Sequence, residues 1–197
     1  SDKRDIIYDV VAKTSVEVFI PFTVGGGIRD VETIRKLLKA GADKVSLNTA
    51  AVQRPEFVKE AAEIYGDQCI VVAVDIKRTN QTKSNYEVFI HGGRTATGLD
   101  AKDWVKRVAE MGAGEILLTS MDRDGTKNGY DLEALKLICD AVSIPVIASG
   151  GAGTMAHIAE ALKISDAALL ASLLHYRELT IPQIKEYLKK ENILVRA

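Results

Sequence analysis

Residues 21–49 and 145–172 are two copies of one plan, and that repeat limits the possible folds more than any other feature of the chain. The earlier copy opens Pro21-Phe-Thr-Val-Gly-Gly-Gly-Ile-Arg and closes on Gly41-Ala-Asp-Lys-Val-Ser-Leu-Asn-Thr49. The later opens Pro145-Val-Ile-Ala-Ser-Gly-Gly-Ala-Gly-Thr and closes on Asp166-Ala-Ala-Leu-Leu-Ala-Ser172. Each is an apolar β-type run, a glycine turn, an amphipathic helical stretch, and a second apolar run ending in small hydroxyl residues. Glycines at a strand end let the chain present bare backbone N–H groups to an anion. Two such cradles, half a chain apart, point to a substrate with a phosphate at each end.

The rest of the chain keeps the same rhythm. Apolar positions Ile6, Ile7, Val10 and Val11 have helical spacing over 5–16, and 18–24 reads as a short buried strand stopped by glycines. Asp30 is placed to cap a helix carrying Val31, Ile34, Leu37 and Leu38, ended by Gly41. A strand follows over 45–48. Pro55 then starts a helix whose stripe is Phe57, Val58, Ala61 and Ile64. Residues 70–76 are almost wholly apolar until Asp75, as expected of a strand buried on both faces. Residues 77–98 interrupt the pattern and read as a β-hairpin excursion on a loop. Helix is expected over 101–111, strand over 115–119, helix over 132–142, strand over 144–148, helix over 155–163, strand near 167–171 and helix over 182–190. Alternating strands and helices with short turns mean a parallel α/β sheet.

The two glycine turns lie 124 residues apart (Gly27 to Gly151), and the spacing falls to 123 at Asp43 and Asp166. Duplication of a half-barrel fits this better than a doubly wound sheet. The predicted fold is therefore α/β and TIM-barrel-like but incomplete, with six of the eight parallel strands a (β/α)₈ barrel needs. One domain is expected over residues 1–197.

Charge and cysteine usage exclude several classes. A net charge of −1 gives no electrostatic footprint for nucleic acid or anionic membrane, so any phosphate binding must be local. No apolar run approaches the roughly 18 residues of a membrane span, and no signal peptide is expected at the start. Cys69 and Cys139 lack CxxC spacing and read as buried, reduced thiols of a cytoplasmic protein. No metal and no cofactor is expected. His91, His157 and His175 are scattered without ligand spacing, and Trp104 reads as core.

Polar residues gather at the C-terminal strand ends: Asn48 and Thr49, Asp75 and Lys77, Thr119 and Ser120, Ser149, and Ser172. In a parallel barrel those ends form the rim that carries active sites, although helix capping accounts for Thr49 or Ser120 taken alone. Asp75 follows Val71-Val-Ala-Val74, where a carboxylate is costly without a purpose and its pKa can be raised for acid–base work. Pairing with Lys77 or Arg78 is the competing reading. The loop Asp122-Arg-Asp-Gly-Thr-Lys-Asn-Gly129 lacks the spacing of a calcium loop. Its Gly125 and Thr126 can donate to phosphate, with Asp122 and Asp124 facing substrate hydroxyls or amines.

Phe22-Thr-Val-Gly-Gly-Gly-Ile28, Gly41-Ala-Asp-Lys-Val-Ser-Leu-Asn-Thr-Ala50, Gly112-Ala-Gly-Glu-Ile-Leu-Leu-Thr-Ser120, Asp122-Arg-Asp-Gly-Thr-Lys-Asn-Gly-Tyr-Asp131 and Ile147-Ala-Ser-Gly-Gly-Ala-Gly153 closely resemble the cyclase subunit of imidazole glycerol phosphate synthase, an enzyme of histidine biosynthesis. The resemblance implies a bis-phosphorylated ribulosyl-formimino aminoimidazole carboxamide ribonucleotide as substrate. Ammonia from a partner glutaminase adds to it, and cyclisation with cleavage gives imidazole glycerol phosphate and aminoimidazole carboxamide ribonucleotide. By resemblance, Asp75 is a catalytic carboxylate. Gly26, Gly27, Asn48 and Thr49 match one phosphate site, and Gly125, Gly150, Gly151 and Ser172 the other; Lys77, Thr119, Asp124 and Ser149 complete the substrate surroundings. Asp43, Lys44 and Glu115 match the opposite barrel face, where the family admits ammonia and docks the glutaminase. The phosphoribosyl isomerase of the same pathway shares the half-barrel repeat and is the nearest alternative; its corresponding loop usually lacks the Lys-x-Gly-Tyr-Asp ending.

In the family two strands precede the helix with which this chain begins, and the first carries the other catalytic aspartate. On that basis the 197-residue chain is expected to be N-terminally truncated and to show little or no cyclase activity alone. Six strands leave open edges, which reads three ways: a fragment, a homo-oligomer through those edges, or a six-strand barrel with altered stagger. The alternative function is a phosphate-binding scaffold without turnover.

Overall fold

The computed structural model describes residues 2–196, with side chains from residue 7 onward. In chain order the elements are α1 (Asp2–Ser15), β1 (Thr23–Gly25), α2 (Val31–Lys39), β2 (Lys44–Leu47), α3 (Thr49–Gln53), α4 (Glu56–Tyr65), a 3₁₀ turn (Asp67–Cys69) and β3 (Ile70–Arg78). Then come β4 (Tyr86–Ile90), β5 (Thr95–Asp100), α5 (Ala101–Glu110), β6 (Glu115–Ser120), α6 (Leu132–Cys139), β7 (Val146–Ser149), α7 (Met155–Leu162), β8 (Ala167–Ala168), α8 (Ser172–His175) and α9 (Ile181–Lys190). The strand order is β1-β2-β3-β6-β7-β8, with β4 and β5 hung from β3. This is the expected class, an incomplete (β/α)-barrel fold with six parallel strands.

The chain forms two compact units. The first runs to Ala73 and adds Arg107–Glu115; the second holds Val74–Lys106 and everything from Ile116 on. In the first, β1 pairs parallel with β2, and β2 with the start of β3. Val45, Leu47, Ile70 and Val72 point from one face of these strands and are 0–1% exposed, and α2 and α4 supply Ile34, Leu37, Phe57, Val58 and Ala61 to the same core. Each of these side chains larger than alanine contributes on the order of 1.5–3 kcal/mol on leaving water. The second unit repeats the arrangement: Val74, Ile76, Ile116, Leu118, Val146 and Ala148 are buried, as are Trp104, Leu135, Ile138, Ile158, Ile184 and Leu188 of its helices. The opposite strand face is different. Lys44, Ser46, Ala73, Asp75, Leu117, Thr119, Ile147 and Ser149 alternate with the core residues and are half-buried. Of the residues expected to do chemistry, Lys44 of the first unit and Asp75, Thr119 and Ser149 of the second lie on such a face.

The repeat read from sequence is present down to single hydrogen bonds. Asp30 caps α2, accepting from Thr33 N–H at 2.7 Å, and Thr154 caps α7, accepting from His157 N–H at 3.2 Å. The Asp43 carboxylate accepts from Phe22 N–H at 2.7 Å while its own N–H donates to Phe22 O at 2.9 Å. Asp166 makes the same bracket with Val146, at 2.9 and 3.1 Å. Each bracket ties a helix–strand turn to the start of the preceding strand, and a charge-assisted bond of this kind contributes about 1–2 kcal/mol.

Several expectations change. The buried strand over 18–24 shrinks to β1, and Phe19 and Ile20 are 92% and 69% exposed. Pro21 has no N–H for a ladder, which begins instead where Phe22 O accepts from Asp43 and Lys44. The strand near 167–171 is only Ala167–Ala168. The strand over 144–148 starts later, past Pro145, and the helix over 132–142 ends at Cys139. Ile64, expected in the buried stripe of α4, is 55% exposed. The excursion over 77–98 is more than a loop-borne hairpin, because β4 also pairs antiparallel with β3, placing Asp75 beside Phe89 and Lys77 beside Glu87. The two thiols are half-buried rather than buried, and burial pushes Cys139 up to about 11.

Candidate functional site

In the first unit, the turn after β1 and the end of β2 lie side by side, since Gly25 is in register with Ser46. Gly26 and Gly27 have φ of 97° and 71°, and a Cβ at either would meet nothing within 4 Å. The space a side chain would enter at either is therefore open, and glycine is required by conformation rather than by crowding. Asn48 and Thr49 follow on the adjacent strand, with the Thr49 hydroxyl donating to Asn48 Oδ1 at 3.3 Å. The four residues expected at one phosphate site are thus brought together.

At the other end of the same strands, Lys44 opens β2 and Glu115 opens β6. Their ammonium and carboxylate form a half-buried ion pair across 71 residues of sequence. Asp43, expected beside them, is exposed and directs its carboxylate into the Phe22 bracket. Asp166 does the same in the later copy, so the bracket accounts for an aspartate at this position in both.

The second unit holds the other cradle, and it is closed in. Asp124, Gly125, Ser149, Gly150, Gly151 and Ser172 line one cavity of about 150 Å³ together with Lys127 and Leu173. Gly150 and Gly151 have φ of 91° and 105°. A Cβ on Gly151 would stand 2.2 Å from Gly129 O, and one on Gly150 would stand 2.8 Å from Ser120 O. The loop over 121–129 lies directly on the turn, and Gly129 N–H donates to Gly151 O at 2.8 Å. Thr119 sits in register with Ser149 but does not line the cavity.

Asp75 is half-buried on β3 between the fully buried Val74 and Ile76, and Lys77 is exposed one step further along the same face. The apolar enclosure expected around Asp75 is therefore partial. Arg78 is engaged elsewhere: its guanidinium donates to Glu133 at 2.8 Å and lies 4.8 Å above the Tyr86 ring. Its backbone N–H donates to the Asp122 carboxylate at 2.7 Å, which turns Asp122 toward β3. Behind this contact the Tyr86 hydroxyl donates to the Asp131 carboxylate at 3.1 Å, and Ser120 Oγ donates to the same carboxylate at 3.3 Å. Burial, reinforced by Asp131, raises the Tyr86 phenol above its ordinary value, so it stays a donor. Asp131 also caps α6 through Ala134 N–H at 3.1 Å. This network fixes both ends of the 121–130 loop, and sequence reading missed its long-range contacts, Tyr86 with Asp131 and Arg78 with Asp122 and Glu133, because they join positions 44 to 55 residues apart.

The sequence pattern of the family described as histidine biosynthesis protein matches residues 1–180. The chain is 54% identical over 215 residues to the imidazole glycerol phosphate synthase subunit HisF of Methanococcus vannielii, a match covering 99% of this chain and 79% of the relative. The corresponding subunit of Methanococcus maripaludis strain C7 is 53% identical with the same coverage. The synthase that the motifs resemble is the one named for these relatives, and the chain belongs to the histidine biosynthesis protein family.

Proposed function

We propose that this chain is the cyclase of imidazole glycerol phosphate synthesis, taking a bis-phosphorylated ribulosyl-formimino aminoimidazole carboxamide ribonucleotide and ammonia to imidazole glycerol phosphate and aminoimidazole carboxamide ribonucleotide. The observation that carries this reading is the repeated cradle. Each unit has a strand-end pair of positive-φ glycines next to a residue that ends in a small hydroxyl or amide, and each can take one phosphate group. Gly26, Gly27, Asn48 and Thr49 form one set; Gly125, Ser149, Gly150, Gly151 and Ser172 form the other. Asp124 faces the substrate at the second cradle, Lys77 and Thr119 flank Asp75, and Asp75 moves protons during ring closure.

The Lys44–Glu115 pair at the opposite strand ends is a gate for ammonia. A half-buried ion pair excludes apolar packing while remaining able to part, and with exposed Asp43 it marks the face for a glutaminase partner. No helix among the described residues is long and apolar enough to cross a membrane.

The experiment is product analysis with the bis-phosphate, with and without ammonia. The cyclase reading predicts two products that appear only with ammonia. A single isomerised product without ammonia would replace it with the isomerase, and tight binding with no product, even with the family's first β-α-β unit fused ahead of residue 1, would leave a phosphate-binding scaffold.

A further inference from the structure

The cavity at Gly150–Gly151 poses an electrostatic problem. A phosphate monoester carries between one and two negative charges near neutral pH. The cavity walls offer backbone N–H groups, the hydroxyls of Ser149 and Ser172, and two charged side chains, Asp124 and Lys127. Asp124 has the wrong sign. Lys127 is the cation of the lining, yet its Nζ donates to Glu178 at 2.5 Å.

We propose that Lys127 is the counter-cation of the phosphate bound in this cavity, and that Glu178 competes with that phosphate for it. The proposal rests on the phosphate reading of this cradle and adds a residue pair that reading did not contain. Both members are anchored to the cavity by their backbones. A Cβ on Gly153 would lie 2.0 Å from Lys127 O and 2.9 Å from Lys127 Cβ, so the root of the lysine is pressed against the glycine turn. Glu178 N–H donates to the carbonyl of Leu173, which lines the cavity, at 2.9 Å. What can move is the lysine head, a compact charge on a flexible four-carbon stem. Its present partner is easily given up. The two side chains are 44% and 41% exposed, and ion pairs at that exposure hold weakly against water and salt. A phosphate inside the cavity offers more charge and more acceptors than one carboxylate. Arrival of phosphate therefore draws Lys127 inward and releases Glu178.

Exchange of this kind gives the two partners opposite effects. The test is titration with inorganic phosphate at fixed low ionic strength, followed at the backbone amides of Gly150, Gly151 and Ser172 so that only this cradle is read. Lys127→Met is expected to weaken binding about tenfold. Glu178→Gln is expected to tighten it about two- to fivefold, because phosphate no longer competes for the lysine. The double variant should match Lys127→Met alone. Arg123→Gln, which removes a cation outside the lining, should change binding less than twofold. A Glu178→Gln variant that binds no better, or an Arg123→Gln loss equal to that of Lys127→Met, overturns the exchange while leaving the phosphate site in place. An unaltered protein whose three amides do not respond to phosphate overturns the site and the exchange together. A gain of affinity cannot come from misfolding, so the glutamate variant keeps the test decisive.

Discussion

Gly151→Ala is expected to cost at least about 3 kcal/mol of stability, whereas Gly27→Ala, the same position in the earlier copy, is expected to cost about 1–2 kcal/mol. Both glycines have positive φ, 105° and 71°, so both substitutions carry a backbone penalty. Only at Gly151 does the new methyl meet backbone. Gly129 O lies 2.2 Å from the ideal Cβ position and its carbon 2.8 Å, and neither can yield without displacing the loop over 121–129. At Gly27 nothing lies within 4 Å. For a chain of this size the difference corresponds to melting-temperature losses of about 6–12 °C against about 2–8 °C. The Gly151 variant should also lose phosphate response at its own cradle, since the loop that closes the cavity is the part displaced. Equal losses from the two substitutions would contradict the account of a closed and an open cradle.

Asp75→Asn is expected to reduce ammonia-dependent product formation by about 10²- to 10⁴-fold, the usual contribution of a positioned acid–base group. The side chain leaves β3 on the face away from the core, half-buried between fully buried Val74 and Ile76. Its size and planar shape are kept by asparagine, which exchanges one acceptor oxygen for a donor, so the strand, its register with Phe89 and the phosphate grip should survive. Affinity for the bis-phosphate is therefore expected to stay within a few-fold while turnover falls. The comparison is best made with the family's first β-α-β unit fused ahead of residue 1, so that the baseline rate does not depend on where the chain begins. A fall of less than tenfold, or a loss of affinity as large as the loss of rate, would move the proton-transfer role away from Asp75.

Most of what positions these residues was legible locally. The cap at Asp30, the glycine turns and the apolar strands follow from short-range chemistry, and Thr154 caps the later copy in the same way. The one-residue drop in the repeat spacing leaves the Asp43 and Asp166 brackets intact, because α7 is one residue shorter than α2 while the turn from the C-cap to the aspartate keeps its length. Strand length was less legible. Apolar residues at 18–20 and 169–170 look like strand, but Pro21 interrupts one run and the other has almost no ladder beyond Ala168. The short helices α3 and α8, which begin at Thr49 and Ser172, carry too few residues to show a period. The pairings around the site were out of reach for a different reason. Lys44 with Glu115, Arg78 with Glu133 and Lys127 with Glu178 join positions 71, 55 and 51 residues apart, and no local pattern ranks one distant partner over another.

The central claim is that the glycine repeat is a pair of phosphate cradles serving one bis-phosphate. It is tested most directly by titrating the protein with the bis-phosphate while following its backbone amides. The account predicts that Gly26, Gly27 and Thr49 and, separately, Gly150, Gly151 and Ser172 respond with one shared affinity. Response at one set alone, or at neither, would contradict it.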